Sequence, residues 1–410
     1  MKKCRVLLVN NSVYLPGEGG YKRTMYMFDM MKKMDYEVTL VTGDFNHYKK
    51  MKRDISDFRE KYPEYNNIVF LKMPAYKKNI SIKRYFSEKY WSHEFHKWFQ
   101  KNADRFDVVF FSDIDYILPV NRLCEEKKIK KIVDIRDLRP EAFHVVIKNN
   151  LLYNLLFFPM KLKADKAYRC ADEFVAVSQE YLNRGLKANN KVKDPVVVYL
   201  GSTLERFYKG VEEFSVNYPK KENEVWITYA GTLGESYDLE TIIRAARKAE
   251  NNGLDNVRFK ILGQGPDEMK LKALARELQC TNIDFLGFLP YEKMAAFLSK
   301  SDMTINAIKK TASQSIINKV ADYLAAGIPL LNGCECVEQQ NMILEYNVGI
   351  NFESENSDSL FSKICVLLDN TNLCKTMGEN AKRLALEKFD RKTSYLEIMK
   401  TIDKCATECK

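Results

Sequence analysis

Val225-Trp226-Ile227-Thr228-Tyr229-Ala230-Gly231-Thr232-Leu233-Gly234 is a short apolar run that stops at glycines, and apolar residues then recur at helical spacing over 239–249. Such a run predicts a strand buried on both faces, closed by a turn and followed by an amphipathic helix. The pattern repeats at once, with Phe259-Lys260-Ile261-Leu262 leading to Gly263-Gln264-Gly265-Pro266 and a helix over 268–278. Working outward, strand-like runs fall at 5–9, 37–41, 68–71, 108–111, 131–134, 174–177 and 196–199, then at 225–230, 257–262, 283–285, 303–305, 329–331 and 349–352. Strands alternating with helices predict an α/β chain of two doubly wound parallel units. The charged segment 202–224, which carries Pro219, is the expected boundary, giving units of 1–201 and 202–387.

The chain has 410 residues, 46% apolar and 29% charged, which excludes a fibrous or largely disordered protein. Its ten cysteines lack the spacing of a zinc site or a disulfide framework, so reduced thiols and a cytoplasmic protein are expected. The apolar run at Val6-Leu7-Leu8-Val9 stops too soon for a leader and reads as a strand. The stretch 151–160, broken by Asn154 and Pro159, is about half of what a bilayer span needs.

Charge is uneven. Residues 1–200 carry 38 Lys and Arg against 25 Asp and Glu, whereas 201–410 carry 27 against 30. Within 46–105 the basic residues interleave with thirteen aromatics, among them Tyr48, Phe58, Tyr76, Tyr85, Phe86, Tyr90, Trp91 and Phe99. A surface of that composition suits anionic lipid headgroups, and a solvated helical face is the plainer reading. No nucleic-acid motif accompanies the charge, and no nucleic-acid partner is expected.

In open α/β sheets ligands bind beyond the carboxyl ends of strands. After the first strand, Gly19 and Gly20 precede a helix expected over 21–34, with Arg23 in its first turn. Glycines admit close backbone approach, and a helix amino terminus favours an anion. Read alone, the loop is equally a tight connection. After the fifth run comes Asp134-Ile135-Arg136-Asp137-Leu138-Arg139-Pro140-Glu141, five charges past a strand. A helix starting near Ser315 would put Lys319 and Asp322 on adjoining parts of one face, placed for a diphosphate and a ribose diol or simply paired with each other. Four histidines, no nucleophile elbow and no metal-ligand spacing point to electrostatic chemistry, with no metal and no cofactor. The dinucleotide fingerprint G-x-G-x-x-G is absent after the first strand, against an NAD-dependent dehydrogenase.

Four motifs in order, Ala230-Gly231-Thr232-Leu233-Gly234, Gly263-Gln264-Gly265-Pro266, Phe285-Leu286-Gly287-Phe288-Leu289-Pro290 and Ala325-Ala326-Gly327-Ile328-Pro329, resemble those of the retaining GT-B glycosyltransferases of family four. The Asp134–Glu141 string resembles that of a subgroup with acetamidosugar transferases of capsule and O-antigen assembly. The resemblance implies two Rossmann-like domains facing across a cleft, with a final helix of about 388–410 joining the first. It implies a nucleotide-sugar donor, UDP-linked, and a polyprenyl-diphosphate-linked acceptor at the inner face of the cell membrane, reached by a peripheral protein through residues 46–105. By the same resemblance Gly19, Gly20, Arg23 and Lys319 face the diphosphate, Asp322 the ribose, Leu289 the base, and Arg136 with Asp137 the acceptor or sugar. Gly231, Thr232, Gly263, Gln314 and Ser315 complete the donor site. Gln314 stands where many relatives carry glutamate, and Thr232 where many carry arginine, so Lys319 is expected to replace the usual basic pair. A sugar-nucleotide epimerase, or a non-catalytic relative that binds a glycan or partner, are the alternatives.

Overall fold

The computed structural model describes residues 4–20, 23–79, 81–141, 150–312 and 316–407. The chain divides into two units, Met1–Val198 with Tyr395–Lys410, and Tyr199–Ser394.

The first unit is built on β1 (Arg5–Val9), β2 (Glu37–Gly43), β5 (Ile68–Leu71), β6 (Val108–Phe111), β7 (Lys130–Ile135), β8 (Glu173–Ala176) and β9 (Val196–Val197). All pair in parallel, in the order β5-β2-β1-β6-β7-β8-β9. A small antiparallel pair, β3 (Phe45–Asn46) with β4 (Met51–Lys52), sits after β2 and is too short to leave a periodic signal. Successive side chains of a strand face opposite ways, so each strand feeds two cores. Leu7 and Val9 pack with Trp91, Phe95 and Phe99. Val6 and Leu8 pack with Met27, Phe28 and Met31, and with Ile398, Met399 and Ile402 of the last helix, Leu396–Thr407.

The second unit repeats the plan with β10 (Val225–Ala230), β11 (Val257–Leu262), β12 (Ile283–Gly287), β13 (Met303–Ala307), β14 (Leu330–Gly333) and β15 (Gly349–Asn351). The order β12-β11-β10-β13-β14-β15 is again wholly parallel. Ile227 and Tyr229 face a core with Leu239, Ile242 and Ile243, while Trp226 and Ala230 face Phe297, Val320 and Leu324. Strand order reverses between β1 and β6 and between β10 and β13, and those are the places where a doubly wound sheet leaves room for a ligand.

The expected strand at 196–199 is cut to Val196–Val197, because Tyr199 turns to stack on Phe389, with ring centroids 4.9 Å apart. Ser202 N–H donates to Phe389 O at 2.8 Å and Arg391 N–H to Ser202 O at 3.0 Å, tying both chain segments into the second unit. Most of the aromatic content of 46–105 is core rather than surface: Phe58, Tyr76, Trp91 and Phe99 are buried, and Tyr48, Tyr85, Phe86 and Tyr90 are exposed. Among the described residues no helix is long and apolar enough to cross a membrane.

Candidate functional site

In the second unit the turns after adjacent strands lie on one another. Gly231 N–H donates to Leu262 O at 2.9 Å, and Gly263 N–H donates to Gly287 O at 2.7 Å. Gly263 has φ +133°, and a methyl group there would stand 1.8 Å from the Gly231 carbonyl oxygen. Only glycine fits so close an approach. Further along, Leu233 N–H donates to Gln264 O at 3.1 Å and fastens the two turns together.

Against this backbone lies Lys319. The helix Asn318–Ala325 begins later than the expected start near Ser315, because Ile316 is buried and Ile317 is extended at its amino end. Lys319 therefore stands in the first turn. Its Nζ donates to Tyr229 Oη at 2.7 Å and sits 4.2 Å and 3.6 Å from the ring centroids of Tyr229 and Tyr237. Tyr229 in turn donates to Thr232 O at 2.7 Å. A methyl group on Gly231 would lie 2.2 Å from Nζ. No carboxylate pairs with this ammonium among the described residues, and burial holds its pKa well below that of an ordinary lysine. A desolvated cation without a carboxylate is a place where an anion gains most.

Asp322 does not join Lys319. Tyr291 Oη donates to Asp322 Oδ1 at 2.7 Å, and Ser202 Oγ lies 2.7 Å from Tyr291 Oη. Burial pushes the Asp322 carboxyl up, against the hydrogen bonds from Tyr291 and Ser202. The expected common face is thus corrected: the two side chains, three residues apart, turn to different neighbours. Leu289 packs at the edge of the core that holds Val320 and Leu324, and Thr232 is exposed. Gln314 and Ser315 lie outside the described residues.

The first unit treats its basic residue differently. Arg23 does not face a phosphate: its Nε and Nη2 each lie 3.0 Å from an oxygen of Asp134, and both side chains are fully buried. Nη1 donates to Tyr395 Oη at 3.1 Å. A guanidinium forked onto a carboxylate in the core has no face left for a diphosphate. Arg136 leans on the same carboxylate, with Nε 3.4 Å from Asp134 Oδ2, and donates from Nη2 to Ser112 O at 2.9 Å, while Asp137 is exposed. Gly20, with φ +105°, closes on the Tyr14 ring, where a methyl group would meet ring carbon at 2.2 Å; Gly19 has open space. Tyr14 stacks on Tyr48 at 3.7 Å, and Glu18, bridged to Arg53 at 2.9 Å, pins the turn. Burial alone would raise the Glu18 carboxyl, and Arg53 with the Leu15 N–H outweighs it, so the net shift is downward.

Sequence reasoning missed Tyr229, Tyr237 and Tyr291, which it had no means to tell from core aromatics. It also missed Asp113, whose Oδ2 lies 3.5 Å from Arg139 Nη1 and whose carboxyl is pushed up to about 6 by burial. Among the described residues no three His, Cys, Asp or Glu side chains gather as a metal site.

Residues 210–384 match the Glycosyl transferases group 1 family. The uncharacterized glycosyltransferase MJ1069 of Methanocaldococcus jannaschii is 24% identical over 98% of this chain and 99% of its own. The putative colanic acid biosynthesis glycosyl transferase WcaI of Escherichia coli is 23% identical over 44% of each chain. Among solved structures, Anabaena Alr3699/HepE in complex with UDP superimposes with a TM-score of 0.70 at 13% identity, over 98% of this chain and 100% of that one. The fold is GT-B. With the group 1 match falling on the half of the GT-B chain that holds Lys319 and the glycine turns, a glycosyl transfer role is supported.

Proposed function

We propose that the protein transfers a sugar, with retention at its anomeric carbon, from a UDP-linked donor of the N-acetylhexosamine or a related class to a polyprenyl-diphosphate-linked saccharide in surface polysaccharide assembly. The observation that carries this reading is Lys319, a buried ammonium with no carboxylate partner among the described residues, set against the glycine turns after β10 and β11. The UDP held by Alr3699/HepE supports the choice of nucleotide.

Lys319, set against the glycine turns at Gly231 and Gly263, binds the diphosphate, the residues around Gly287 and Leu289 take the base, and Asp322, oriented by Tyr291 and Ser202, takes the ribose. Gln314 and Ser315 belong to the donor side, and Arg136 with Asp137 to the acceptor or transferred sugar. In the chemical step the bond from the anomeric carbon to the diphosphate oxygen breaks while the acceptor oxygen bonds to that carbon on the same face. The acceptor hydroxyl proton passes to the departing phosphate oxygen, leaving UDP and the new glycoside. Charge grows on the leaving group, so preorganised donors that meet it lower the barrier. On this proposal neither a metal nor a cofactor is required. The enzyme works at the cytoplasmic face of the cell membrane, attached peripherally through the basic segment 46–105.

Thermal-shift and calorimetric titration with UDP, GDP, ADP and NAD tests the donor. UDP alone is expected to stabilise the protein, by about 2.7 kcal/mol at about 100 times its dissociation constant. Lys319→Ala is expected to weaken UDP about 100-fold, or about 2.7 kcal/mol. A protein that no nucleotide stabilises, or that binds UDP equally well without Lys319, defeats the reading.

A further inference from the structure

The helix Asn150–Arg169 changes character along its length. Its later turns are ordinary, with Ala164, Ala167 and Tyr168 in the core. Before them Leu155, Leu156, Phe158, Met160 and Leu162 are all exposed, Leu155 by 76% and Phe158 by 57%. At about 100° per residue these five positions cover an arc of about 200°, the width of the side that an amphipathic helix turns to solvent, and here that side carries large apolar residues in place of polar ones. A second apolar group lies on the first half of the helix Ile82–Asn102, where Ile82 is 76% and Phe86 is 65% exposed beside Tyr85 and Tyr90. Both helices rest on the segment Ile114–Tyr116. Trp91 meets the Tyr116 ring edge-on at 4.7 Å, and Lys163 pairs with Asp115. The two apolar groups thus flank one short segment of the first unit. Large apolar side chains exposed together in this way mark a contact surface.

The charges say with what. Lys83, Lys89, Lys161 and Lys166 are exposed among these apolar residues. The carboxylates within the same stretches are already paired, Glu88 with Arg84 at 2.8 Å and Asp165 with Arg184 at 2.8 Å. Leucine and phenylalanine ringed by tyrosine and lysine match the level where acyl chains meet anionic headgroups, with lysine stems lying along apolar neighbours and their heads in the headgroup layer. The eight residues 155–162 span about 12 Å of helix, enough to lie in that layer and too little to cross. We propose that this helix, with the exposed start of Ile82–Asn102, docks the first unit into the surface of an anionic bilayer. The inference goes beyond the reading above by centring the contact on a helix outside 46–105, and it does not depend on donor chemistry.

Co-sedimentation of the full chain with phosphatidylcholine vesicles, with and without about 30% phosphatidylglycerol, tests it. Binding is expected only with the anionic lipid, and is expected to fall about tenfold between about 0.02 and 0.5 M salt as the charges are screened. The double variant Leu155→Asp/Phe158→Asp is expected to lose at least about tenfold in partitioning, since both apolar area and charge are spoiled. Lys83→Gln/Lys89→Gln/Lys161→Gln is expected to lose the preference for phosphatidylglycerol. Unchanged melting temperature and UDP affinity in both variants show that folding and the donor site are intact. Equal partitioning of wild type and both variants overturns the proposal. So does a vesicle-indifferent wild type that light scattering finds dimeric and the double variant monomeric, which assigns the face to a second copy.

Discussion

Two corners of this chain carry the same ingredients and use them in opposite ways. After β1, glycines 17, 19 and 20 lead to Arg23 in the first turn of a helix; after β10 and β11, Gly231 and Gly263 lie beside Lys319 in the first turn of another. Arg23 is forked onto Asp134 and fully buried, whereas Lys319 has a phenol and two aromatic faces and no carboxylate among the described residues. The difference lies two strands past the point where strand order reverses. There β7 has Asp134 as its penultimate residue, and the corresponding β14 has Asn332, a neutral amide engaged with Asn306, Gln339 and Asn351. A cation beside a glycine turn becomes structural where a carboxylate waits for it, and is left for a ligand where none does.

Removing each cation breaks or sharpens that contrast. Arg23→Met strands Asp134 in the core with Arg136 as its remaining basic contact, and losing one partner of a buried pair costs about 3–5 kcal/mol. Urea unfolding is expected to show this loss, while UDP affinity measured on the folded fraction stays unchanged. A stable variant with impaired UDP binding would reverse the roles given to the two corners. Lys319→Met is expected to do the opposite. It replaces a desolvated, unpaired ammonium by an apolar side chain of similar length, so the empty protein gains about 1 kcal/mol or more while UDP binding is lost. The sign follows from the depressed pKa: folding at neutral pH works against protonation of this lysine, and that opposition disappears with it. A melting temperature that falls with the substitution would mean the ammonium is held by more than the two tyrosines.

The frame of the molecule was open to reading because a parallel sheet covered on both faces needs runs such as Val6–Val9 and Val225–Ala230, and such runs have few other homes. The glycine turns after β10 and β11 were equally legible, since a glycine in that place answers a backbone requirement that the chain itself creates. What lay beyond reach was the partner of each charge. Nothing local to Arg23 reveals that Asp134, more than a hundred positions on, will meet it, because β7 arrives there only through the sheet order. The same holds for Asp322 and Tyr291, and for Tyr229, whose sequence signal is that of any strand residue. Lys319 stands out in the sequence by its place about one turn into a helix expected from Ser315 and by the family resemblance, and its isolation from carboxylates among the described residues shows only once the strand ends are assembled.

Arg139 offers a third case between the two corners, and the smallest expected effect. It follows the same strand as Asp134, yet its contacts are loose, 3.5 Å to Asp113 and 3.9 Å to Asp115. Burial lifts the Asp113 carboxyl, with Arg139 opposing and Asp115 adding to the rise, so that it titrates near about 6 instead of 3.8. In that window the folded chain holds a proton that the unfolded chain has released, so stability falls as pH rises from about 4 to 6. Asp113→Asn removes the titration. The variant is expected to flatten this part of the stability profile and to gain at least about 1 kcal/mol at pH 7, the rise being already net of the attraction to Arg139. Asp115, already paired with Lys163, keeps Arg139 in company. Urea unfolding of wild type and variant at half-unit steps from pH 4 to 8 reads the slope directly. An unchanged slope in the variant would mean that Asp113 is ionised throughout, held by Arg139 as firmly as Asp134 is held by Arg23, and the graded contrast among the three cations would collapse to two classes.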